Sequence, residues 1–355
     1  MRKPNLLWIS NASMGKSETF LRATHEFLKD HTHLTSVFLP SFKQRRREKI
    51  RHGILRKIIP PKPYYTDFNK YDKIWIEYGT TLLLISEKIA HFKGKLFIFL
   101  HGYDISAEVK NDDYAHKLVH LSQKVDLVYL VASRHNRNRL IVLGVRQNQI
   151  QVLRLPLNSE EIKPQGLEKT KYPSFVFFGR LTEKKNPVLL LHAFHRVNQR
   201  ISSSKLTFIG SGPLRRQLEN LALSLDLANQ IHFLDSMERD DALKLIEQHW
   251  IYCQHSVTSS NGDAEGFALS PAEAALLKLP VVSTIHNGIP EHVIDQHTGF
   301  LVPEWDIDLM AERMIELASK PELIEEFGNN GRSNVSEICS YKRWTEAMHS
   351  LLLTP

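Results

Sequence analysis

The sequence predicts an α/β protein made of two doubly wound units, each with a parallel sheet covered by helices. Along most of the 355 residues, short apolar runs alternate with longer amphipathic segments, as strands alternate with helices in such proteins. Loops with Gly and polar residues follow several of the apolar runs, which is where ligands of open α/β sheets bind. The chain is longer than one average domain, so two units are expected.

The composition is that of an ordinary soluble globular protein, with 42% hydrophobic and 24% charged residues. The two cysteines, Cys253 and Cys339, are too few for a disulfide framework and fit a reducing compartment. The apolar run 6–9 is too short for a signal peptide, and no run approaches the ~18 apolar residues of a transmembrane helix. We expect a cytoplasmic protein that at most lies on the inner face of the cytoplasmic membrane.

The net charge of +7 is unevenly distributed. Residues 1–170 contain 29 Lys and Arg against 16 Asp and Glu, whereas residues 171–355 contain 17 against 23. Opposite charges on the two halves favour two domains with different partners. A basic half suits nucleic acid, anionic lipid or a phosphorylated substrate, although a solvated basic surface explains the charge equally well.

In the first half, the run 5–10 is predicted as a buried strand, followed by a loop that contains Gly15 and a helix that opens at 17–20. A loop with one glycine is weak support for phosphate binding, and a plain connection explains it as well. The remaining elements predicted in this half are a helix at 81–91, strands at 73–78, 95–100, 126–131 and 150–155, and one helix on each side of the strand 126–131.

The segment 41–65 is the most basic part of the chain. Ile50, Ile54 and Ile58 repeat every four residues among cations, which predicts a short amphipathic helix. Such a helix can lie in the headgroup region of an anionic bilayer. The alternative is an exposed helix whose isoleucines face the domain core. The candidate membrane or acceptor contacts are Arg45, Arg46, Arg47 and Lys49.

His101 directly follows the apolar run 95–100. A histidine at the carboxyl end of a buried strand is well placed to face a ligand, although a lone histidine is as often structural. In the second half, Arg180, Lys184 and Lys185 follow the predicted strand 174–178, and Arg and Lys at that position can clamp a diphosphate.

The second half repeats the strand–helix alternation. Gly210 and Gly212 follow the strand 206–209 in a turn that lets the backbone approach a ligand. The remaining strands are predicted at 230–234, 250–254 and 280–284, and the helices at 187–197, 240–248, 268–278 and 341–353.

Two carboxylates, Glu265 and Glu273, bracket a predicted loop-to-helix junction. Free backbone N–H groups and the positive end of a helix can receive an anion at such a junction. Two carboxylates around an anion suit a polyhydroxylated, phosphorylated ligand, which describes a nucleotide-sugar.

With these motifs the chain resembles the retaining glycosyltransferases of family 4, above all those of bacterial exopolysaccharide, colanic-acid-type and lipopolysaccharide synthesis. The resemblance covers nearly the whole chain and implies the GT-B fold, in which two Rossmann-like domains face each other across a cleft. It implies an acceptor-binding domain at 1–165, a nucleotide-sugar-binding domain at 166–340, and a C-terminal helix, 341–355, that crosses back to the first domain. The supporting motifs are Ser17-Glu18-Thr19-Phe20, His101-Gly102-Tyr103-Asp104, Gly179-Arg180-Leu181 with Lys185, Gly210-Ser211-Gly212-Pro213, 257–266 with Glu273-Ala274, Pro280-Val281-Val282 and Gly288-Ile289-Pro290-Glu291.

The resemblance also implies a role for each candidate site residue. Glu265 would hold hydroxyls of the donor sugar, and Glu273 would accept hydrogen bonds from the ribose. Arg180 and Lys185 would neutralise the diphosphate leaving group, and His101 would line the site near the transferred sugar and the acceptor. The other donor-binding positions are Gly15, Gly210, Gly212, Gly266, Phe267 and Ala268.

The two cysteines lack metal-ligand spacing, so we expect a metal-independent reaction without a cofactor. The expected partners are a nucleotide-sugar donor, a saccharide or lipid-linked saccharide acceptor and an anionic membrane surface, without nucleic acid. One departure from the family is 277–279, Leu-Lys-Leu, where a glycine is usual. The alternatives are another GT-B enzyme, such as a sugar-nucleotide epimerase, and a non-catalytic binding protein.

Overall fold

The computed structural model describes residues 2–11, 19–39 and 67–353. Gly15 and the basic segment 41–65, with Arg45, Arg46, Arg47 and Lys49, lie outside the described residues. The roles predicted for them therefore stay predictions.

The chain divides into two compact units. The first consists of Met1–Leu153 and Thr345–Pro355, and the second of Arg154–Trp344. Each unit contains one six-stranded sheet in which all neighbouring strands are parallel. The prediction of two doubly wound α/β units is confirmed. The division into acceptor-binding and donor-binding domains, at 166 and 341, stays a prediction.

In the first unit the strand order is β2-β1-β3-β4-β5-β6. Burial on both faces explains why the inner strands of this sheet are continuous apolar runs rather than alternating ones; in the strand Lys95–Leu100, for example, Phe97 and Ile98 are fully buried. The strands are β1 (Asn5–Ser10), β2 (His33–Phe38), β3 (Lys73–Glu77), β4 (Lys95–Leu100), β5 (Leu127–Val131) and β6 (Ile150–Val152). The helices are Thr19–His31, Gly79–Leu82, Ser86–Ile89, Gly102–Ser106, Asp112–Lys124 and Arg134–Val142. The helix Tyr341–Leu353 begins in the second unit and continues from Thr345 in the first.

The single helix predicted at 81–91 is wrong. Two short helices, Gly79–Leu82 and Ser86–Ile89, occupy this region, and Ile85 between them leaves the helical conformation with φ −133° and ψ 3°. The break lets Leu82, Ile85 and Ile89 all reach the core, where each is at most 3% exposed. Packing against the sheet therefore overrides local helix propensity here.

In the second unit the strand order is β12-β11-β10-β7-β8-β9. The strands are β7 (Ser174–Phe178), β8 (Lys205–Ile209), β9 (Ile231–Leu234), β10 (Ile251–Gln254), β11 (Val281–Thr284) and β12 (Gly299–Val302). The helices are Pro187–Arg200, Arg215–Ser224, Arg239–Glu247, Leu269–Leu276, Ile307–Ser319 and Pro321–Ile338, with 3-10 turns at Glu183–Lys185 and Ile289–Glu291.

Each sheet has a point where the direction of winding reverses. In the second unit the chain runs from β7 outward to β8 and β9, then returns to the other side of β7 and continues through β10, β11 and β12. Ligands of open α/β sheets bind outside the carboxyl ends of the strands at this switch point. The predicted place of a site in the second unit is therefore the loops after β7 and β10.

The strands predicted from the sequence are found, and their observed ends differ from the predicted ones by up to three residues. The edge strands β2 and β12 were not predicted. Among the described residues, no helix combines the length and the apolarity needed to cross a membrane.

Candidate active site

The loops after β7 and β10 are joined by two ion pairs. Lys185 Nζ lies 3.1 Å from Glu265 Oε1 and donates a hydrogen bond to Gln254 Oε1 at 3.2 Å. Lys184 is its neighbour on the same 3-10 turn, and Lys184 Nζ lies 3.1 Å from Asp263 Oδ1. The two neighbouring lysines thus hold different carboxylates, and Lys185 is the one on Glu265.

Glu265 is ionised in this environment. Burial alone would raise its pKa, but Lys185 and Lys184 outweigh that effect and lower the pKa to about 2. The Glu265 side chain is 11% exposed, and its Oε1 atom makes the ion pair without the alignment of a hydrogen bond. Because an ionised carboxylate accepts hydrogen bonds only, Glu265 retains the capacity to bind hydroxyl groups.

The backbone of Glu265 is fixed on both sides. Its N–H donates to His286 Nε2 at 3.1 Å, and its carbonyl accepts from Asn287 Nδ2 at 2.8 Å. Since His286 Nε2 accepts, its ring proton is on Nδ1, which lies 2.6 Å from Glu304 Oε1. These side chains follow β11 and β12, and their position at the same sheet edge is the signal by which the sequence could have identified them.

The loop after Glu265 presents three backbone N–H groups. Gly266, Phe267 and Ala268 lead into the helix Leu269–Leu276, and Ala268 has left-handed backbone angles with φ 60°. Within residues 2–11, 19–39 and 67–353, none of these N–H groups has an acceptor. Unpaired donors at the start of a helix favour a negatively charged or strongly accepting ligand.

Glu273 lies inside the same helix and is 5% exposed. Its Oε1 atom accepts a hydrogen bond of 2.7 Å from Arg239 Nε, and Arg239 Nη2 lies 2.7 Å from the same oxygen. Arg239 opens the helix Arg239–Glu247. Sequence reasoning missed Arg239, because 34 residues separate the pair and no motif links them.

Arg180 is exposed. In the described part of the chain, no carboxylate or other acceptor lies against its guanidinium. Gly179, with φ 146°, leaves room for the Lys185 side chain, because a Cβ there would lie 3.1 Å from Lys185 Cε. The structure thus brings Lys185 to Glu265 and leaves Arg180 available to an anionic ligand.

Gly210 and Gly212 pack against the backbone that carries Arg180. A Cβ on Gly210 would lie 2.1 Å from the Gly179 carbonyl oxygen, and one on Gly212 would lie 2.4 Å from that of Leu181. Their observed function is therefore close packing of the loops after β7 and β8. The predicted contact of these glycines with the donor stays a prediction.

His101 lies in the first unit, at the carboxyl end of β4. Its Nε2 atom is 3.1 Å from Glu77 Oε2, and Glu77 Oε1 accepts a hydrogen bond of 2.8 Å from Trp75 Nε1. The His101 backbone N–H donates to Asp104 Oδ2 at 2.8 Å, and burial raises the pKa of Asp104. Aromatic rings of Phe20, Tyr78 and Phe99 surround the imidazole at 4.5–4.8 Å.

Glu77 is a second residue that sequence reasoning missed. It is fully buried at the end of β3, next to β4 in the sheet. The signal was present, because a carboxylate that ends an apolar run is placed like the histidine that ends the next run. The Glu77–His101 contact shows that the imidazole is held in one orientation.

Comparison with known proteins connects these features to a family. Residues 158–334 match the model of the family described as glycosyl transferases group 1. This segment contains the Lys185–Glu265 and Arg239–Glu273 pairs.

Curated relatives extend the likeness. The chain is 27% identical to the putative colanic acid biosynthesis glycosyltransferase WcaL of Escherichia coli K12, over 66% of this chain and 58% of the relative. It is 28% identical to the amylovoran biosynthesis glycosyltransferase AmsK of Erwinia amylovora, over 64% of this chain and 56% of the relative. The matches thus span little more than half the length of these relatives.

Solved structures show the same fold at low sequence identity. Anabaena HepE, solved with UDP and glucose, superposes with a TM-score of 0.80 and 16% identity, over 98% of this chain and 99% of that one. The sucrose-phosphate synthase of Thermosynechococcus elongatus superposes with a TM-score of 0.77 and 18% identity, over 99% of this chain and 98% of that one. The chain therefore has the GT-B fold and, through residues 158–334, belongs to the family of group 1 glycosyl transferases.

Proposed function

We propose that this protein is a retaining glycosyltransferase that moves a sugar from a nucleoside-diphosphate-sugar to a saccharide acceptor in bacterial surface polysaccharide synthesis. The observation that carries the proposal is the Lys185–Glu265 ion pair beside unpaired backbone N–H groups, at the switch point of the second sheet. The names of WcaL and AmsK, both of exopolysaccharide synthesis, and the UDP and glucose bound to HepE support it.

The chemistry of transfer matches the charges of the site. When the nucleoside diphosphate leaves, negative charge grows on its phosphates and positive character grows on the sugar carbon. Lys185 and Arg180 stabilise the phosphates, and the N–H groups of 266–268 add fixed donors. Preorganised donors at the point where charge develops are usually the largest catalytic contribution. Glu265 binds hydroxyls of the sugar that is transferred, and His101 lines the acceptor side.

We also propose that transfer is independent of metal ions, because the two cations take the role of charge neutralisation on the diphosphate. Full activity after exhaustive treatment with a chelator is the expected result. Loss of activity that Mg²⁺ or Mn²⁺ restores would contradict this part of the proposal.

The donor is identified by a thermal-shift screen with UDP, GDP and ADP and with their glucose, N-acetylglucosamine and mannose derivatives. We expect one nucleotide series to raise the melting temperature, because a ligand at a hundredfold excess over its Kd stabilises the native state by about 2.7 kcal/mol. Nucleoside monophosphates, which lack the leaving phosphate, are the matched control. If no nucleotide stabilises the protein, the proposed function is wrong.

A membrane surface is proposed as a further partner, supported by the excess of cations in residues 1–170. Replacing Arg45, Arg46, Arg47 and Lys49 by glutamine should release the protein from anionic vesicles, since each cation near such a surface contributes about 1 kcal/mol. Co-sedimentation at several salt concentrations measures the effect. The control removes four exposed cations of the other half of the chain: Arg216, Lys244, Lys320 and Arg343. Equal release in both variants would mean that net charge alone decides binding.

A further inference from the structure

The Arg239–Glu273 pair has a geometry that a simple surface ion pair lacks. Both guanidinium contacts, from Nε and Nη2, converge on one carboxylate oxygen, Oε1, at 2.7 Å. The Arg239 side chain is 25% exposed and that of Glu273 is 7% exposed. The pair therefore lies at the edge of a buried region, where charged hydrogen bonds are strong and hold their geometry.

The other oxygen of the Glu273 carboxylate, Oε2, differs from Oε1 in its hydrogen-bond partners. Across the described ranges 2–11, 19–39 and 67–353, no donor reaches it. The arginine thus fixes the rotation of the carboxylate and leaves one ionised oxygen with unused acceptor capacity. An acceptor that is held in one orientation and has no donor suits a hydroxyl-bearing ligand.

We propose that Arg239 is the positioning residue through which the protein recognises the ribose of the donor. Arg239 holds Glu273 so that Oε2 accepts hydrogen bonds from the 2′- and 3′-hydroxyls. This inference rests on the proposed function, because it takes the ligand to be a nucleoside diphosphate. Arg239 acts through Glu273 and does not contact the reacting atoms.

The role cannot be filled by Glu273 alone. Without the guanidinium, the Glu273 side chain, which is 7% exposed, is left with an unpaired charge in a poorly solvated place. Such a group rotates toward water. A carboxylate that has rotated no longer presents Oε2 to the two hydroxyls, so its discrimination for a diol is lost.

The test compares ribonucleotides with their 2′-deoxy counterparts by titration calorimetry. The probes are UDP, GDP and ADP, each against its 2′-deoxy form. In the wild-type protein, loss of the 2′-hydroxyl should weaken binding about tenfold, the effect of one charge-assisted hydrogen bond. In Arg239→Gln, binding of the ribonucleotide should fall about tenfold, and the ratio of ribo to deoxy affinities should fall close to one.

Three variants make the result specific. Arg239→Lys keeps a cation and should recover part of the ratio. Lys244→Gln removes a cation from the same helix, where it faces Asp241, and should keep the wild-type ratio. Combining Arg239→Gln with Glu273→Ala should reduce the ratio no further than Glu273→Ala alone, because the two residues act as one unit.

The possible outcomes separate this inference from the proposed function. If the wild-type protein binds a ribonucleotide and Arg239→Gln retains the wild-type ratio of affinities, the positioning role is wrong and the proposed function stands. Equal affinity of the wild-type protein for ribo and deoxy forms has the same consequence. If the wild-type protein binds none of the nucleotides, the proposed function fails, and the inference fails with it.

Discussion

Replacing both Arg180 and Lys185 by alanine is expected to abolish sugar transfer while the protein remains folded. The two cations are the side chains proposed to stabilise the leaving diphosphate, and loss of one preorganised donor commonly lowers kcat by about 10²–10³. We expect a loss of at least about 10³-fold for the pair. Turnover of the donor nucleotide-sugar, with initial rates over a range of concentrations, measures kcat and KM separately.

The single variants should differ in stability. Arg180 is exposed, so Arg180→Ala should leave the free energy of unfolding nearly unchanged. Lys185→Ala should destabilise the protein, because Glu265, 3.1 Å away, would keep a buried charge without its partner. The control pair, Arg216→Ala with Lys244→Ala, removes the same charge from exposed positions of the same unit. A folded double variant that keeps more than a tenth of the wild-type kcat would exclude the diphosphate clamp.

The sheets were largely predictable from the sequence, because strands that are buried on both faces form continuous apolar runs. The runs that form β1, β4 and β7 were predicted with their observed bounds. In such strands almost every residue must be apolar, so the signal does not depend on the rest of the fold. The edge strand β2 lacks this pattern, because most of its residues are exposed or half-buried. The other missed edge strand, β12, has only four residues.

The positions of the site were predictable, but the partners of its residues were not. The sequence shows that Lys185 and Glu265 follow strands, and parallel strands of one sheet end at the same edge. Which of Lys184 and Lys185 reaches Glu265 depends on the 3-10 turn Glu183–Lys185. Arg239 and Glu77 pair with residues 34 and 24 positions away. Such contacts arise from the order of strands and the packing of helices, which no local spacing encodes.

The departure at 277–279 has a structural explanation. Lys278 adopts φ 62°, a left-handed conformation that glycine takes without strain. A lysine there costs about 1 kcal/mol but preserves the turn between the helix Leu269–Leu276 and β11. Gly328 then packs on this turn, since a Cβ there would lie 2.2 Å from the Lys278 carbonyl oxygen. The substitution therefore leaves the backbone path near Glu273 intact.

Glu265→Gln is the change with the second largest expected effect. The substitution keeps the size of the side chain and removes the charge that faces Lys185 and Lys184. An amide offers one acceptor oxygen instead of two ionised ones, so hydroxyls of the donor sugar are held less well in the transition state. We expect kcat to fall about 10²-fold, with a smaller change in nucleotide affinity, because the diphosphate clamp remains. Steady-state kinetics together with nucleotide titration separates the two quantities.

The same variant makes the stability of the protein respond differently to pH. The pKa of Glu265 is lowered from 4.5 to about 2, so in the folded state the carboxyl group binds its proton only at more acidic pH than in the unfolded state. Its contribution, on the order of 3 kcal/mol, is therefore complete above pH 4.5 and is lost as the pH falls toward 2. The wild-type protein should be more stable than Glu265→Gln at pH 6, and the difference in the free energy of unfolding should shrink steadily below pH 4.5.

Denaturant unfolding at several pH values measures this difference, and Glu325→Gln, which replaces an exposed carboxylate, is the control. A difference between wild type and Glu265→Gln that stays constant from pH 6 to pH 3 would mean that Lys185 and Lys184 do not hold this carboxylate in its ionised form.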